Sequence, residues 1–434
     1  MEQQEPARGD SPRARANPLS SLRYRDSRVF WFGTSVSSVG QAAFLVASGW
    51  LAFRLGGSRA VGVVTFATMI PLFLATVLGG LLADRCERRA LVLGTQTTQS
   101  VIALVIGVLA IRGAMPLVAL VPLVFLSGIA RAVEQPTVQT VLPSLIPRDE
   151  LLNIFALNNL ATRGSRFVGP ALTAPILATR GAGPAYLAIA VIYLLAIGQV
   201  LRVPKMRHVG LVSIGLGEQV KEGGRYVARH RVIALLLGVI VLHCLLTMAF
   251  DSTLPLFADQ NLRGSGAIYS SLVSAMGLGS IVAAFILAGM RSRRQRGALL
   301  LVGAIGSGIA TALMAVAMNS LLALAAIFVV GAMTTCFMTL ANTMMQEVVP
   351  DHLRGRISGL FLMSASGVMS FGNLGAGFLA ARYGSAPVLG LPALLFIILL
   401  LVISGVRPAL RHLYRRGTLA VDRVDMPVGM LADG

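Results

Sequence analysis

Apolar residues along this chain run in long unbroken stretches, without the alternation of strands or the narrow stripe of a soluble helix. A run of about 18 or more such residues is long enough to cross a bilayer as a helix. About twelve recur, over roughly 28–53, 60–83, 90–111, 116–142, 152–179, 184–202, 232–257, 267–289, 297–318, 321–346, 356–381 and 386–406. A transmembrane barrel is excluded, because its short strands would alternate apolar and polar positions. The pattern therefore predicts an all-α integral membrane protein.

Polar positions inside these runs are not scattered. In the first, Thr34, Ser38, Gln41 and Ser48 fall at helical spacings and share a face. Hydrogen bonding between helices explains such a stripe as well as a watery cavity does. The fourth run places Ser127, Arg131, Glu134 and Gln135 near mid-depth, ahead of Pro136. Ionisable groups there cost about 2.5–3.5 kcal/mol each on insertion scales, so they are paired or functional. Arg131 and Glu134 can neutralise each other. The fifth run adds Asn159, Arg163, Arg166 and Thr173 on one face. Two further arginines leave surplus positive charge, to be balanced by acids elsewhere or by an anionic ligand. His243, Thr247 and Asp251 follow at i+4 steps in the seventh run, giving it titratable groups on one side. For His243 an interhelical hydrogen bond, and for Asp251 a place near the membrane face before Pro255, are the structural alternatives. The tenth run carries Thr335, Thr339, Asn342 and Gln346, whereas 386–406 is almost wholly aliphatic.

The hydrophilic stretches divide the chain. Residues 1–22 are polar and carry Pro6, Pro12 and Pro18, as expected of a disordered tail, and they lack the apolar core of a signal peptide. The one long interior interruption, 204–230, contains a basic amphipathic segment suited to lying on the membrane surface. It separates 23–203 from 231–407, and 408–434 forms a second tail. The two halves repeat each other. Ala288-Gly-Met-Arg-Ser-Arg293-Arg294 stands about 205 residues after Ala83-Asp-Arg-Cys-Glu-Arg88-Arg89, and Pro350-Asp-His-Leu-Arg354-Gly-Arg356 about 203 after Pro147. Two parallel bundles of six helices are the architecture such a repeat implies.

Charge and composition narrow the function. The net charge of +19 could suggest nucleic acid, but about 28 of the 37 Lys and Arg lie on one side of the implied membrane. That asymmetry is topogenic and predicts both termini in the cytoplasm of a bacterial-type inner membrane. No basic face on a folded domain remains for nucleic acid. Cys86, Cys244 and Cys336 give neither a disulfide framework nor metal spacing, and the five histidines do not cluster. No phosphate-binding G-x-x-x-x-G-K-[ST] occurs, so no nucleotide or other cofactor is expected and a proton gradient is the energy source that fits. No nucleophile–base or metal constellation suggests an enzyme. The expected partners are a small-molecule substrate and the lipid bilayer, with the chain itself a monomer.

Three motifs sharpen this. Gly80-Leu-Leu-Ala-Asp84-Arg85-Cys-Glu-Arg88-Arg89 resembles the G-x-x-x-D-R-x-x-R-R loop between the second and third helices of the major facilitator superfamily. The resemblance implies a charge lock between the halves, made and broken as the transporter changes its facing. Gly128-Ile-Ala-Arg131-Ala-Val-Glu-Gln135-Pro136, with Leu142-Pro-Ser-Leu-Ile-Pro147-Arg-Asp-Glu-Leu-Leu-Asn153, resembles the enterobactin-exporter branch of that superfamily, which includes macrolide-type efflux pumps. There Arg131 falls where antiporters place an arginine involved in proton coupling. Gly169-Pro170 matches the antiporter motif of the fifth helix only in part, with Ser165 and Thr173-Ala174 replacing its other glycines. Corresponding helices of the two halves line a central cavity in this superfamily, which accounts for polar faces in runs one, four, five, seven and ten. The expected function is a proton-coupled exporter of a siderophore or an amphipathic drug-like molecule. Ser38, Gln41, Arg131, Asn159, Arg163, Arg166, Thr339 and Asn342 would line its cavity, and Glu134, Asp251 or His243 would carry the proton. An importer or facilitator of a small organic anion on the same fold, and a non-transporting receptor, are the alternatives.

Overall fold

The computed structural model describes residues 19–83, 87–204, 216–290 and 292–416. These residues form fourteen α-helices and three short 3-10 turns, with no strand among them. Each of the twelve apolar runs is helical. The first two are the limbs of α1 (Arg25–Ala83), which breaks at Gly56 and Gly57. Gly57 takes φ +63°, a left-handed conformation that a residue with a Cβ adopts at a cost. Then follow α2 (Arg88–Ile111), α3 (Leu117–Val141), α4 (Leu151–Thr179) and α5 (Ala182–Val200). In the second half α7 (Arg231–Leu246) and α8 (Leu254–Gln260) together make the seventh run. It is completed by α9 (Gly266–Ala288), α10 (Arg293–Ala315), α11 (Ser320–Val348), α12 (Asp351–Tyr383) and α13 (Ser385–Val406).

Nine of these helices are long and apolar enough, each by itself, to cross a membrane, counted among the described residues. The shortfall from twelve has physical causes. One long helix contains two limbs, the seventh run is broken after Leu246, and α4 is diluted by Asn153, Asn158, Asn159, Arg163 and Arg166.

Helix contacts repeat between the halves. In the first, α2 packs on α3 and α5; in the second, α10 packs on α11 and α13. Across the halves α4 lies along α9, and the second limb of α1 lies along α12. Backbone meets backbone at that last crossing, where a Cβ on Gly377 would stand 2.6 Å from the Ser58 carbonyl. Closer still is the contact of α9 with α11: a Cβ on Gly279 would stand 2.0 Å from the Phe328 carbonyl, and one on Gly331 2.0 Å from that of Met276. Gly279→Ala must push these helices apart, and overpacking of this kind costs about 1–3 kcal/mol. A lowered thermal unfolding midpoint in detergent is the expected result, with Gly238→Ala, which meets nothing within 4 Å, as the silent control.

The apolar core is divided differently at the two ends of the bundle. At the end away from the termini one cluster joins the halves, with Val46, Trp50, Leu177 and Ala185 packed on Phe250, Phe257, Tyr269 and Leu272. Trp50 stacks on Tyr269 at 6.2 Å between ring centroids. At the end carrying Arg25 and Arg416 each half keeps its own cluster, around Phe30, Val92 and Ile154 in one and Ile233, Phe337 and Tyr414 in the other. The halves thus share a core at the far end, beside a further first-half cluster around Phe44, Ile106 and Tyr186, and are separately cored at the other. Near this second end α6 (Leu216–Arg229) turns by 107° into α7. It packs on α12 through Gly223 against Leu360 and an ion pair of Glu222 with Arg356. The last helix, α14 (Pro408–Arg416), packs on α10 with Leu410 and Leu413 buried.

Candidate functional site

Glu134 lies on α3, one turn past Arg131 and just before Pro136, and is only 3% exposed. A carboxylate so deep needs hydrogen-bond donors on both oxygens. It has four. Ser37 Oγ donates to Oε1 at 2.8 Å and Gln96 Nε2 to the same oxygen at 3.0 Å. Gln41 Nε2 and Gln99 Nε2 donate to Oε2 at 2.9 and 2.8 Å. Behind Gln99, the Tyr193 hydroxyl donates to its Oε1 at 2.7 Å. One acid therefore ties together the first limb of α1, α2, α3 and, through Gln99, α5.

Arg131 makes no direct ion pair with this acid. It lies within electrostatic reach of Glu134 and of Arg166, yet the carboxylate spends its bonds on the four neutral donors and no Arg131–Glu134 salt bridge forms. The stripe expected on α1 is split between roles. Gln41 joins the cage, whereas Thr34 and Ser38 donate to carbonyls of their own helix and Ser48 shares a 2.7 Å hydrogen bond with the Tyr186 hydroxyl.

A second group sits where the halves meet. Arg163 on α4 reaches across to α11, its Nη2 3.4 Å from Thr339 Oγ1. Arg166, one turn further, is exposed and lies within electrostatic reach of Arg131, Arg163 and Asp251. Its backbone lies against α9, where a Cβ on Gly277 would come within 2.7 Å of the Arg166 carbonyl. Asn159 is exposed and, among the described residues, bonds its own helix through the Phe155 carbonyl at 3.0 Å. Asn342 is half-buried and accepts from Gln346, which also donates to Ser358 on α12.

His243 and Asp251 do not share the face that their spacing predicts. The helix ends at Leu246, and a turn at Thr247–Thr253 replaces the next helical turns, so the i+4 register is lost. His243 points into the packed core of the second half, fully buried, with its ring 4.6 Å from that of Phe337 and 5.2 Å from that of Phe396. Its Nε2 lies 2.9 Å from Ser307 Oγ, and because that hydroxyl donates to the Ala304 carbonyl, the imidazole proton sits on Nε2. Asp251 turns instead toward the interface, near Tyr269 as well as Arg166. Asn373 of α12 fixes the break by accepting from the Ser252 amide at 3.0 Å.

Of the lock residues, Asp84 and Arg85 lie outside the described residues, and Gly80 lies in the last turn of α1. Arg88 and Arg89 both bind within the first half. Arg88 reaches the Thr140 carbonyl at 3.4 Å; Arg89 bonds the Val200 and Leu201 carbonyls at 3.3 and 2.8 Å. Cations at helix C-termini are favoured by the unpaired carbonyls and the dipole there.

Sequence reasoning missed Ser37, Gln96, Gln99 and Tyr193. A usable signal was present: Gln96 and Gln99 stand three apart, hence on one face, within the polar stretch Thr95–Ser100 of an apolar run.

Solved structures with this architecture are membrane transporters of the major facilitator fold. The nucleoside transporter NupG superposes with a TM-score of 0.70 at 12% identity, covering 88% of this chain and 98% of its own. A POT peptide transporter in complex with sulfate gives 0.71 at 11% identity, covering 93% and 100%. These likenesses establish the fold. Residues 16–427 match the family described as transmembrane secretion effector, and the chain belongs to that family of major facilitator transporters. It is a transporter, not an enzyme. Among its relatives are the enterobactin exporters EntS of Shigella boydii, 27% identical over 360 residues, and of Escherichia coli, 26% identical over the same length. Each alignment covers 80% of this chain and 84% of the relative.

Proposed function

We propose that this protein exports a small anionic or amphipathic molecule, of the catecholate siderophore or drug-like class, in exchange for protons by alternating access. The observation that carries this reading is Glu134, a buried acid caged by four donors beside an arginine cluster at the junction of the halves. Arg131, Arg163 and Arg166 supply more positive charge than Asp251 and Glu134 offset, which suits an anion. A proton on Glu134 or Asp251 competes with substrate held by these arginines. Competition transduces energy only where proton and substrate favour different conformations. The lock residues Gly80, Asp84, Arg85, Arg88 and Arg89 would hold one of those conformations. With both termini cytoplasmic, as the charge asymmetry implies, the end where the halves share a core faces outward and the geometry described is the inward-facing one.

Proteoliposomes with an imposed pH gradient test the coupling, using a labelled catecholate siderophore and a cationic dye. Gradient-dependent flux is expected in the native protein. Its survival in both Glu134→Gln and Asp251→Asn would remove these acids as proton carriers. Uptake in the opposite sense would instead favour an importer of organic anions.

A further inference from the structure

The cage around Glu134 is asymmetric in a way that its role as proton carrier does not by itself require. On Oε1, both partners are free to change. Ser37 is a hydroxyl rotor, and the Oε1 of Gln96 is buried with no hydrogen bond among the described residues, so that amide is held on one side only. On Oε2, Gln99 is held on both sides. Its Oε1 accepts from the Tyr193 hydroxyl, so its Nε2 is turned to Glu134 as a donor. Turning that amide over would place two N–H groups against Tyr193 and leave the phenol proton without an acceptor in a fully buried site. A carboxylate welcomes the donor; a protonated carboxyl gains more from an acceptor. The Tyr193 bond also polarises the Gln99 amide and strengthens its N–H as a donor.

We propose that Tyr193 is a positioning residue for this proton site: by holding the Gln99 amide in one orientation, it sets the pH at which Glu134 takes a proton. The inference rests on the reading of Glu134 as a proton carrier and adds the residue that tunes it. Few other charges compete for the role. The groups facing Glu134 are Arg131 on its own helix, with Arg166 of α4 beyond it, and Tyr193 of α5. From α1 and α2 come only the neutral Ser37, Gln41, Gln96 and Gln99.

The test reads the carboxyl directly. Infrared difference spectra of the purified full chain in liposomes are recorded as pH is stepped, and the Glu134 band is the one lost in Glu134→Gln. Tyr193→Phe removes one oxygen and frees Gln99 to turn, so the midpoint should move upward by about one-half to one pH unit, the worth of one neutral hydrogen bond. Gln99→Met should move it upward too, and adding Tyr193→Phe in that background should change nothing more. An unmoved midpoint in Tyr193→Phe, an additive shift in the double variant, or a band that titrates in neither protein overturns the proposal. Should Tyr193→Phe fail to fold, an unmoved midpoint in Gln99→Met overturns it equally. Flux measured in the same vesicles separates the two readings. A band that shifts as expected while flux ignores the pH gradient would sink the exporter mechanism and leave the positioning role intact.

Discussion

Glu134→Leu is expected to be the most destabilising single substitution in the first half, and Glu134→Gln to keep the fold while abolishing gradient-driven flux. The two differ in what they leave behind. Leucine strands Ser37, Gln41, Gln96 and Gln99, four donors aimed at one oxygen pair. Each buried donor left bare costs about 1–3 kcal/mol, so even with partial relaxation the loss should reach several kcal/mol. Little folded protein should survive extraction. Glutamine preserves one acceptor oxygen and the volume, and its own amide can find Ser37, so the helices stay together. It cannot gain or lose a proton near neutral pH. Size-exclusion profiles of the extracted variants, read beside flux in liposomes with and without the gradient, separate the effects. A monodisperse and fully active Glu134→Leu protein would show that the cage is dispensable.

Arg166→Ala should raise the KM for an anionic substrate by roughly 10- to 100-fold, the worth of one lost charge-assisted contact of about 1.5–3 kcal/mol. Arg166 is the centre of the charge cluster, since Arg131, Arg163 and Asp251 all lie within its electrostatic reach. It is also the exposed member, whereas Arg163 is half-buried and already bonded to Thr339. Arg166→Lys keeps the charge but not the planar fork, so it should recover only part of the affinity. Initial rates against substrate concentration, for a catecholate and for an uncharged dye, supply the discrimination. The anion should lose affinity and the dye should not; equal losses for both would mean that Arg166 holds the halves together and does not touch cargo.

The apolar runs located the membrane-length helices because lipid exposure imposes a length and a composition that a single sequence displays. The same logic singled out Arg131, Glu134, Arg163 and Arg166, since ionisable side chains at depth are costly and therefore conspicuous. What could not be read was their pairing. Arg131 and Glu134 are close enough in sequence to neutralise each other, yet Glu134 takes donors from two other helices, and those contacts span 97, 93, 38 and 35 residues. In the seventh run the i+4 register of His243 and Asp251 assumed a continuous helix. No proline or glycine lies within Thr247–Thr253 itself, Pro255 marking only the restart of the helix, and the Ser252 amide freed there is satisfied by Asn373, 121 residues away.

By itself, then, the sequence determined that this is a helical membrane protein of two repeated halves with buried arginines and acids, because hydrophobic length, charge asymmetry and repeat are local or additive properties of the chain. Only the tertiary structure decided that Glu134 is served by Ser37, Gln41, Gln96 and Gln99, that His243 faces the second-half core, and that Asp251 leaves the face of His243. Those outcomes depend on which buried polar atom meets which across helices, and that is set by where the fold places each helix rather than by sequence spacing.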